Sequence, residues 1–149
     1  MPVEKLRAYL DENAVKYVSI SHSRAYTAAE VAASAHIPGK KLAKVVMVKL
    51  DGKMAMYVTT ANERLDLDLL GEACGAKTVE LADEAEFIKI FPDCEIGAMP
   101  PFGNIYGMEV FVDESLTNDK EIAFNAGSHT ELFRLAYKDF ERLVGPTVV

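Results

Sequence analysis

The sequence predicts an α+β fold, with one domain over residues 1–149 built on a mixed, strongly curved β-sheet or open barrel. Three observations support it: helical and strand-like segments alternate early in the chain, a clear β-hairpin occupies residues 42–60, and the C-terminal third is rich in strands. The hairpin and the strand-rich end argue against a doubly wound parallel sheet. With 149 residues, half of them hydrophobic, the chain is long enough to bury a core.

The N-terminal part is predicted to fold as helix, strand and helix. Apolar residues recur at helical spacing over residues 3–10, and an alternating segment follows at 16–20. Thr27, with Glu30 three residues later, forms a capping box that opens the second helix, and Pro38-Gly39 ends it.

The hairpin joins two strand-like runs, 42–50 and 53–60, through Asp51-Gly52, the preferred pair for a type I′ turn. If the first run alternates, one face carries Ala43, Val45, Met47 and Lys49, and the other carries Lys44, Val46 and Val48. Because both faces hold aliphatic residues, this strand is predicted to be central and covered on both sides.

Lys44 stands out because it lies on a largely apolar face near the start of this strand. Its side chain either extends along the apolar surface to place the ammonium in water, or points into a cavity where an anion or carbonyl meets the charge. The neighbouring lysines are expected on solvated faces: Lys40, Lys41, Lys49 and Lys53.

The rest of the chain adds shorter elements. In chain order, the patterns predict a helix at 65–73 capped by Gly75, a strand at 77–81, a helix capped by Asp83 and Glu86 and closed by Pro92, strands at 108–112 and 121–125, a tight turn at 126–129, an extended segment at 130–136 and a last helix at 139–144.

The segment Gly97-Ala98-Met99-Pro100-Pro101-Phe102-Gly103 is incompatible with a helix or a central strand, because adjacent prolines fix two φ angles and remove two backbone donors. The flanking glycines permit backbone angles or close approaches that a Cβ forbids. Two interpretations stay open. The segment is either a rigid connector with Phe102 in the core, or a stiff loop that lines a pocket and offers peptide groups to a ligand.

Composition limits the function classes. A net charge of −7 argues against a protein that coats nucleic acid by charge alone, although contact with a few phosphates remains possible. The N-terminus lacks the pattern of a signal peptide, and no apolar stretch is long enough to span a bilayer. Cys74 and Cys94 form no CxxC pair, which together with the missing export signal predicts a reducing cytoplasm.

Other hydrolytic chemistries fit the sequence poorly. Ser128 and His129 are neighbours in an extended segment, so their side chains point to opposite faces, and there is no G-x-S-x-G motif. A metal site would have to gather His22, His36 and His129 from remote segments without an HExxH or CxxC motif. Cys74 is expected to be a small buried hydrophobic residue.

Three features together carry a family resemblance: Lys44 in the early hairpin strand, the loop Gly97–Gly103, and the turn Gly127-Ser128-His129. In this order they resemble the YbaK/prolyl-tRNA-synthetase-associated domain, and Asp139–Leu143 is similar to that family's C-terminal segment. The resemblance extends from the first helix to about Val144.

The resemblance implies a cytoplasmic editing domain that hydrolyses the ester of mischarged tRNA, most typically tRNA-Pro carrying alanine or cysteine. It implies mixed strands surrounded by helices, with the pocket between the loop and the turn and with no cofactor or metal. Since the sequence holds no synthetase domain, we expect a free-standing deacylase. Its expected partners are the acceptor end of mischarged tRNA and prolyl-tRNA synthetase, and no membrane; the oligomeric state is not indicated.

The expected mechanism is modest, because an aminoacyl ester is already activated. Lys44 would hold the substrate's terminal phosphate or carbonyl, and peptide N–H groups of the turn or the loop would stabilise the oxyanion. The resemblance implies that the substrate's vicinal ribose hydroxyl assists the water. The predicted catalytic residues are Lys44, Gly127, Ser128 and His129, and the predicted substrate contacts are Gly97, Pro100, Pro101, Phe102, Gly103, His22, Tyr26 and Met47.

Two other functions remain to be compared with this one. A binding module could keep the pocket without turnover and recognise aminoacyl-tRNA ends or a protein. A conventional small-ester hydrolase would turn over simple aryl esters and react with serine-directed reagents.

Overall fold

The computed structural model of the protein describes residues 4–25, 28–35, 37–61, 63 and 66–149. Its helices are α1 Glu4–Glu12, α2 Ala28–Ser34, α3 Leu67–Cys74, α4 Glu84–Phe87 and α5 Tyr137–Val144. Its strands are β1 Tyr17–Ser21, β2 Ala43–Leu50, β3 Lys53–Thr60, β4 Val79–Leu81, β5 Val110–Val112, β6 Glu121–Ser128, β7 Glu131–Ala136 and β8 Thr147–Val148. None of the helices in these ranges is long and apolar enough to cross a membrane.

The strands form two sheets. A three-stranded antiparallel sheet has the order β1-β7-β6, and a five-stranded mixed sheet has the order β4-β2-β3-β5-β8, with β5 parallel to both of its neighbours. A parallel bridge between Leu42 and Ala123 brings the start of β2 beside β6. The α+β prediction is therefore confirmed, with the mixed strands divided between two sheets that meet at this bridge; across the described residues they form no closed barrel.

The β2–β3 hairpin confirms its sequence pattern. Asp51 and Gly52 have φ angles of 51° and 83°, the positive values that a type I′ turn requires at both central positions. The Asp51 carboxylate also accepts hydrogen bonds from the backbone N–H groups of Lys77 and Thr78, at 2.9 and 2.8 Å, which anchors the turn to the chain before β4.

Strand β2 is central, as predicted, and each of its faces meets a hydrophobic cluster. Met47 and its partner Met56 lie in the main core, whereas Val48 and its partner Ala55 pack against Leu70 of α3. The alternation of β2 therefore places Lys44 and Met47 on opposite faces of the sheet.

Phe102 lies at the centre of the main core with no exposed surface. Its ring centroid is 5.5 Å from that of Phe124 on β6, 5.6 Å from that of Phe140 on α5 and 6.3 Å from that of Tyr9 on α1. The loop that precedes β5 is thus fixed to three elements by one aromatic side chain.

The C-terminal third differs from the prediction at the end of β6 and in one additional strand. Strand β6 continues to Ser128, so the tight turn predicted at 126–129 lies instead at His129-Thr130, after an irregular pairing between Asn125 and Ser128. The short strand β8 was not predicted, because two residues carry no periodic signal. The predicted cap Thr27 lies outside the described residues.

Candidate active site

The loop Gly97–Gly103 needs its two glycines for different reasons. Gly97 has a φ of +84°, which L side chains rarely adopt, and a Cβ there would lie 3.6 Å from Cε1 of His129. At Gly103 a Cβ would lie only 2.9 Å from Cγ2 of Val110, so this glycine lets the loop pack closely on β5. Both effects that the sequence suggested for the flanking glycines occur, one at each end.

The beginning of this loop is hydrogen-bonded to the end of β6 through four contacts. The Glu95 N–H donates to Gly127 O at 2.7 Å, and the Gly127 N–H donates to Ala98 O at 2.9 Å. The His129 N–H donates to Glu95 Oε2 at 2.6 Å, and His129 Nε2 lies 2.7 Å from Ile96 O. We call this set the loop–turn contact. It holds the two motifs together.

Glu95 is the acidic residue of this contact. The hydrogen bond from the His129 N–H, and then the neighbouring Arg24 guanidinium, lower the pKa of the Glu95 carboxyl below its usual value. The Arg24–Glu95 ion pair has an N···O distance of 3.2 Å and is partly exposed. At neutral pH the Glu95 side chain is therefore a carboxylate, and it is this charged group that accepts the hydrogen bond from the turn.

The segment before α2 adds a third side to the site. The His22 N–H donates to Thr130 O at 2.9 Å, and the Ala25 N–H donates to His129 O at 3.2 Å. These bonds place His22 beside the turn, whereas Tyr26 lies outside the described residues.

An open groove of about 510 Å³ runs beside the loop–turn contact. It is lined by Arg24, Ile88, Phe91, Pro92, Cys94, Glu95, Ile96 and His129. Burial, followed by the charge of Asp93, raises the pKa of the Cys94 thiol to about 12, so this thiol stays protonated and is a poor nucleophile. Within the described part of the chain, no group of His, Cys, Asp or Glu residues could hold a metal ion.

Ser128 and His129 have separate hydrogen-bond partners. Ser128 Oγ lies 3.2 Å from Thr130 Oγ1 and accepts from the Thr130 N–H at 3.3 Å, while the imidazole of His129 meets the Ile96 carbonyl. This arrangement is not that of a nucleophile and its base.

The Gly127 N–H donates to Ala98, so in this conformation it is not available to a substrate oxyanion. The His129 N–H is likewise bonded to Glu95. The expected role of Gly127 as an oxyanion donor therefore needs correction. Its φ of +95° and its bonds to the loop give it a structural role in the turn.

Lys44 is half-buried on β2 and pairs in register with Thr59 of β3. The parallel bridge between Leu42 and Ala123 lies two residues before Lys44 and brings the start of β2 beside β6, the strand that ends at Ser128 before the turn.

The other predicted substrate contacts are buried. Pro100, Pro101 and Gly103 are inside the protein, and Met47 and Phe102 belong to the main core. For Phe102 the structure therefore favours the rigid-connector interpretation. These side chains offer no exposed surface to line a pocket, and a substrate could meet only their peptide groups.

Sequence reasoning missed Glu95 and Arg24 as members of the site. Glu95 stands just before the loop, and Arg24 is part of the polar segment that follows β1, but both positions also suit ordinary surface residues. The only available signal was the position of an acidic residue two places before Gly97.

Comparison with known proteins identifies the family. The model of the aminoacyl-tRNA editing domain matches residues 22–143, a span that includes Lys44, the loop and the turn. The chain belongs to the aminoacyl-tRNA editing domain family. The resemblance drawn from the sequence is therefore confirmed.

In one named relative the match covers most of the protein, and in another it covers only a small part. The multifunctional Ser/Thr-tRNA deacylase ProXp-y of Escherichia coli strain K12 is 28% identical, and the match covers 98% of this chain and 90% of that protein. The proline–tRNA ligase of Bacillus mycoides is 28% identical over 89 residues, which are 60% of this chain but only 16% of the ligase.

Solved structures share the fold. A protein provisionally described as a trans-editing enzyme for prolyl-tRNA synthetase superposes with a TM-score of 0.81 at 22% identity, covering 97% of this chain and 92% of that one. The hypothetical protein APE2540 superposes with a TM-score of 0.85 at 20% identity, covering 97% of both chains.

Proposed function

We propose that this protein is a trans-editing deacylase, which hydrolyses the ester between a small amino acid and the 3′-terminal ribose of mischarged tRNA in the cytoplasm. The observation that carries the proposal is the loop–turn contact, within a chain that matches the editing-domain family over residues 22–143. It joins both sequence motifs of the resemblance at one place in the fold.

Lys44 is proposed to bind the substrate. Lys44 occupies a half-buried position on β2. A terminal phosphate or ester carbonyl would accept a charge-assisted hydrogen bond from its ammonium. Such a bond stabilises the transition state when negative charge grows on the carbonyl oxygen.

The turn is proposed to position the ester. The loop–turn contact fixes the backbone of Gly127 and His129, and the segment from His22 to Ala25 is bonded to the same turn. Fixed geometry of this kind accelerates attack by water on an ester that is already activated. The substrate's vicinal ribose hydroxyl is proposed to assist that water.

The amino acid is proposed to be small. The family resemblance implies alanine or cysteine on tRNA-Pro, while the Escherichia coli relative is named for serine and threonine. All four side chains are short, and a pocket discriminates one methylene by only about 1–3 kcal/mol. The side chains of Met47 and Phe102 lie in the main core.

A panel of mischarged tRNAs tests the proposal. The purified chain is incubated with tRNA-Pro carrying alanine or cysteine, with tRNAs carrying serine or threonine, and with correctly charged prolyl-tRNA-Pro. We expect enzyme-dependent loss of at least one of the four small amino acids while prolyl-tRNA persists. Tight binding of an uncleaved substrate would instead support the binding module, and cleavage of aryl esters alone would support the small-ester hydrolase.

A further inference from the structure

A second groove, of about 520 Å³, lies between α3 and the five-stranded sheet. It shares no lining residue with the groove beside the loop–turn contact, and no residue assigned above to the site lines it. Its volume lies within the range of sites that bind a ligand or a partner's side chain. We call it the α3 groove. It is a separate surface, and the deacylation chemistry does not identify what it binds.

The α3 groove has an apolar part formed by Leu69, Leu70, Tyr57 and Val149. Leu70, Tyr57 and Val149 belong to one hydrophobic cluster between the helix and the sheet. Leu69 belongs to none of the described clusters and is 63% exposed, the highest value among the large hydrophobic residues that the structure describes. An exposed leucine beside a hydrophobic cluster, in a groove, is apolar surface of the kind that a partner covers.

Four carboxylates also line the α3 groove, those of Glu63, Asp66, Glu72 and Asp113. Among the residues that the structure describes, no lysine, arginine or histidine lines it, and none of the four carboxylates forms an ion pair. Asp66 accepts its hydrogen bond from an uncharged group, the N–H of Leu69, at 3.1 Å. A concave surface lined by charges of one sign attracts groups of the opposite sign.

The spacing along α3 places the exposed leucine between acidic residues. Asp66, Leu69 and Glu72 follow one another at intervals of three, and residues three apart are neighbours on a helix surface. On the sheet side, the Tyr57 hydroxyl donates to Asp113 at 3.3 Å. Burial, followed by the charge of Asp113, raises the pKa of Tyr57 to about 12, so its hydroxyl stays neutral. Negative charge therefore lies on both sides of the groove.

We propose that the α3 groove binds a protein partner through a segment in which an apolar side chain is flanked by lysine or arginine side chains. The apolar side chain packs on Leu69 and Leu70, and the flanking cations pair with the carboxylates of the rim. The same carboxylates repel phosphates, so this partner is not the tRNA. A small polyvalent cation would meet the carboxylates without covering Leu69.

Two variants remove the two kinds of contact. Leu69→Gln removes the apolar contact, and the double variant Glu63→Gln/Glu72→Gln removes two charges; all three residues are exposed, so the fold is expected to stay intact. Leu81→Gln is the matched control for the leucine, because Leu81 is 53% exposed on β4 and does not line the groove. Glu12→Gln, at an exposed position on α1, is the control for the charges.

The probe is a peptide selected from a random dodecapeptide library displayed on phage, with the purified wild-type chain as the immobilised target at low salt. The most enriched peptide is synthesised with a fluorescent label, and its Kd for each variant is measured by anisotropy. We expect this peptide to contain lysine or arginine residues around a large apolar residue. Leu69→Gln should raise its Kd by about tenfold, and the double variant by about fivefold. Only the effect of the double variant should shrink at high salt, and both controls should bind like wild type.

Several outcomes would overturn the proposal. Among them are enrichment of peptides without basic residues, unchanged binding to Leu69→Gln, and equal losses in the controls. Displacement of the labelled peptide by spermine as effectively as by the unlabelled peptide would assign the groove to small cations. Sedimentation that shows a wild-type dimer but a monomeric Leu69→Gln would make a second copy of this chain the occupant. A marked fall in the melting temperature of Leu69→Gln would assign Leu69 to packing.

Discussion

The carboxylate of Glu95 accepts a hydrogen bond from the backbone N–H of His129 at 2.6 Å, across 34 residues of sequence. Glu95, two places before the loop Gly97–Gly103, thereby fixes the conformation of the turn that follows β6. The carboxylate is also ion-paired with Arg24 from a third segment. A single side chain thus joins three parts of the proposed site.

The first prediction concerns this carboxylate and pH. The pKa of Glu95 is lowered in the folded protein, so its contribution to stability is fully present above its unfolded value near 4.5 and is lost as pH falls through the lower folded pKa. Glu95→Gln removes the charge and should lose this pH dependence. Denaturant unfolding between pH 3 and 7 should show a stability gap between wild type and Glu95→Gln that closes at acid pH.

The size of that gap is modest, because more than a third of the Glu95 side chain is exposed, at 36%. We expect about 1.5 kcal/mol above pH 5, the low end of the range for hydrogen bonds to charged groups. Arg24→Met should cost less, since exposed ion pairs contribute about 0–1 kcal/mol. The exposed Glu72 provides a control, and the same gap in Glu72→Gln would contradict the specific role of Glu95.

The second prediction separates the backbone from the hydroxyl in the turn. Ser128→Ala should lose only about 0.5–1.5 kcal/mol of transition-state stabilisation, because its hydroxyl is bonded within the turn to Thr130. Gly127→Ala should destabilise the protein by about 1–3 kcal/mol, since a φ of +95° is strained for any residue with a Cβ. Gly127→Val should do worse. An inactive Ser128→Ala beside a fully active and stable Gly127→Val would indicate a serine nucleophile instead.

The sequence predicts some of these features well and others not at all. The β2–β3 hairpin is predictable because Asp51-Gly52 meets a purely local requirement, positive φ at two adjacent residues. The hydrogen bond from the His129 N–H to the Glu95 carboxylate depends on a tertiary contact, and no local sequence pattern predicts it. The two motifs were therefore associated through a family resemblance, and Glu95 was missed.

Phe102 illustrates a different limit. An apolar residue in a loop of prolines and glycines suits either a pocket wall or a core anchor, and only the position of Phe124 and Phe140 decides between them.

The turn after β6, which lies later in the chain than predicted, also depends on tertiary structure. Residues 126–128 carry a glycine that suggests a turn, but the irregular pairing after Asn125 accommodates that glycine within the strand.

A third prediction concerns Gly103 and its neighbour on β5. Gly103→Ala should destabilise the protein by about 1–3 kcal/mol, because the added Cβ would meet Val110 Cγ2 at 2.9 Å. Val110→Ala removes that methyl group, so the double variant should lose less stability than the sum of the two single variants. Chemical denaturation of the four proteins measures this coupling, and strict additivity would show that the loop does not pack as described.

The fourth prediction concerns how much of the tRNA is bound. A protein with a net charge of −7 gains little from a long polyanion, so contact should be confined to the acceptor end. A mischarged minihelix that contains only the acceptor stem should be deacylated nearly as fast as whole tRNA, with a shallow dependence on salt. A large loss of kcat/KM on truncation would reveal contacts elsewhere on the tRNA.

The central claim is that Lys44 binds the ester that is cleaved, and deacylation by lysine variants of β2 tests it most directly. Lys44→Ala should reduce kcat/KM for the mischarged tRNA on the order of 10²-fold, as loss of one stabilising donor does, with folding close to wild type. Lys49→Ala is the control, because Lys49 lies on the opposite face of the same strand and pairs with Glu86 at 3.0 Å. Near-normal turnover by a folded Lys44→Ala, or an equal loss in Lys49→Ala, would contradict the account.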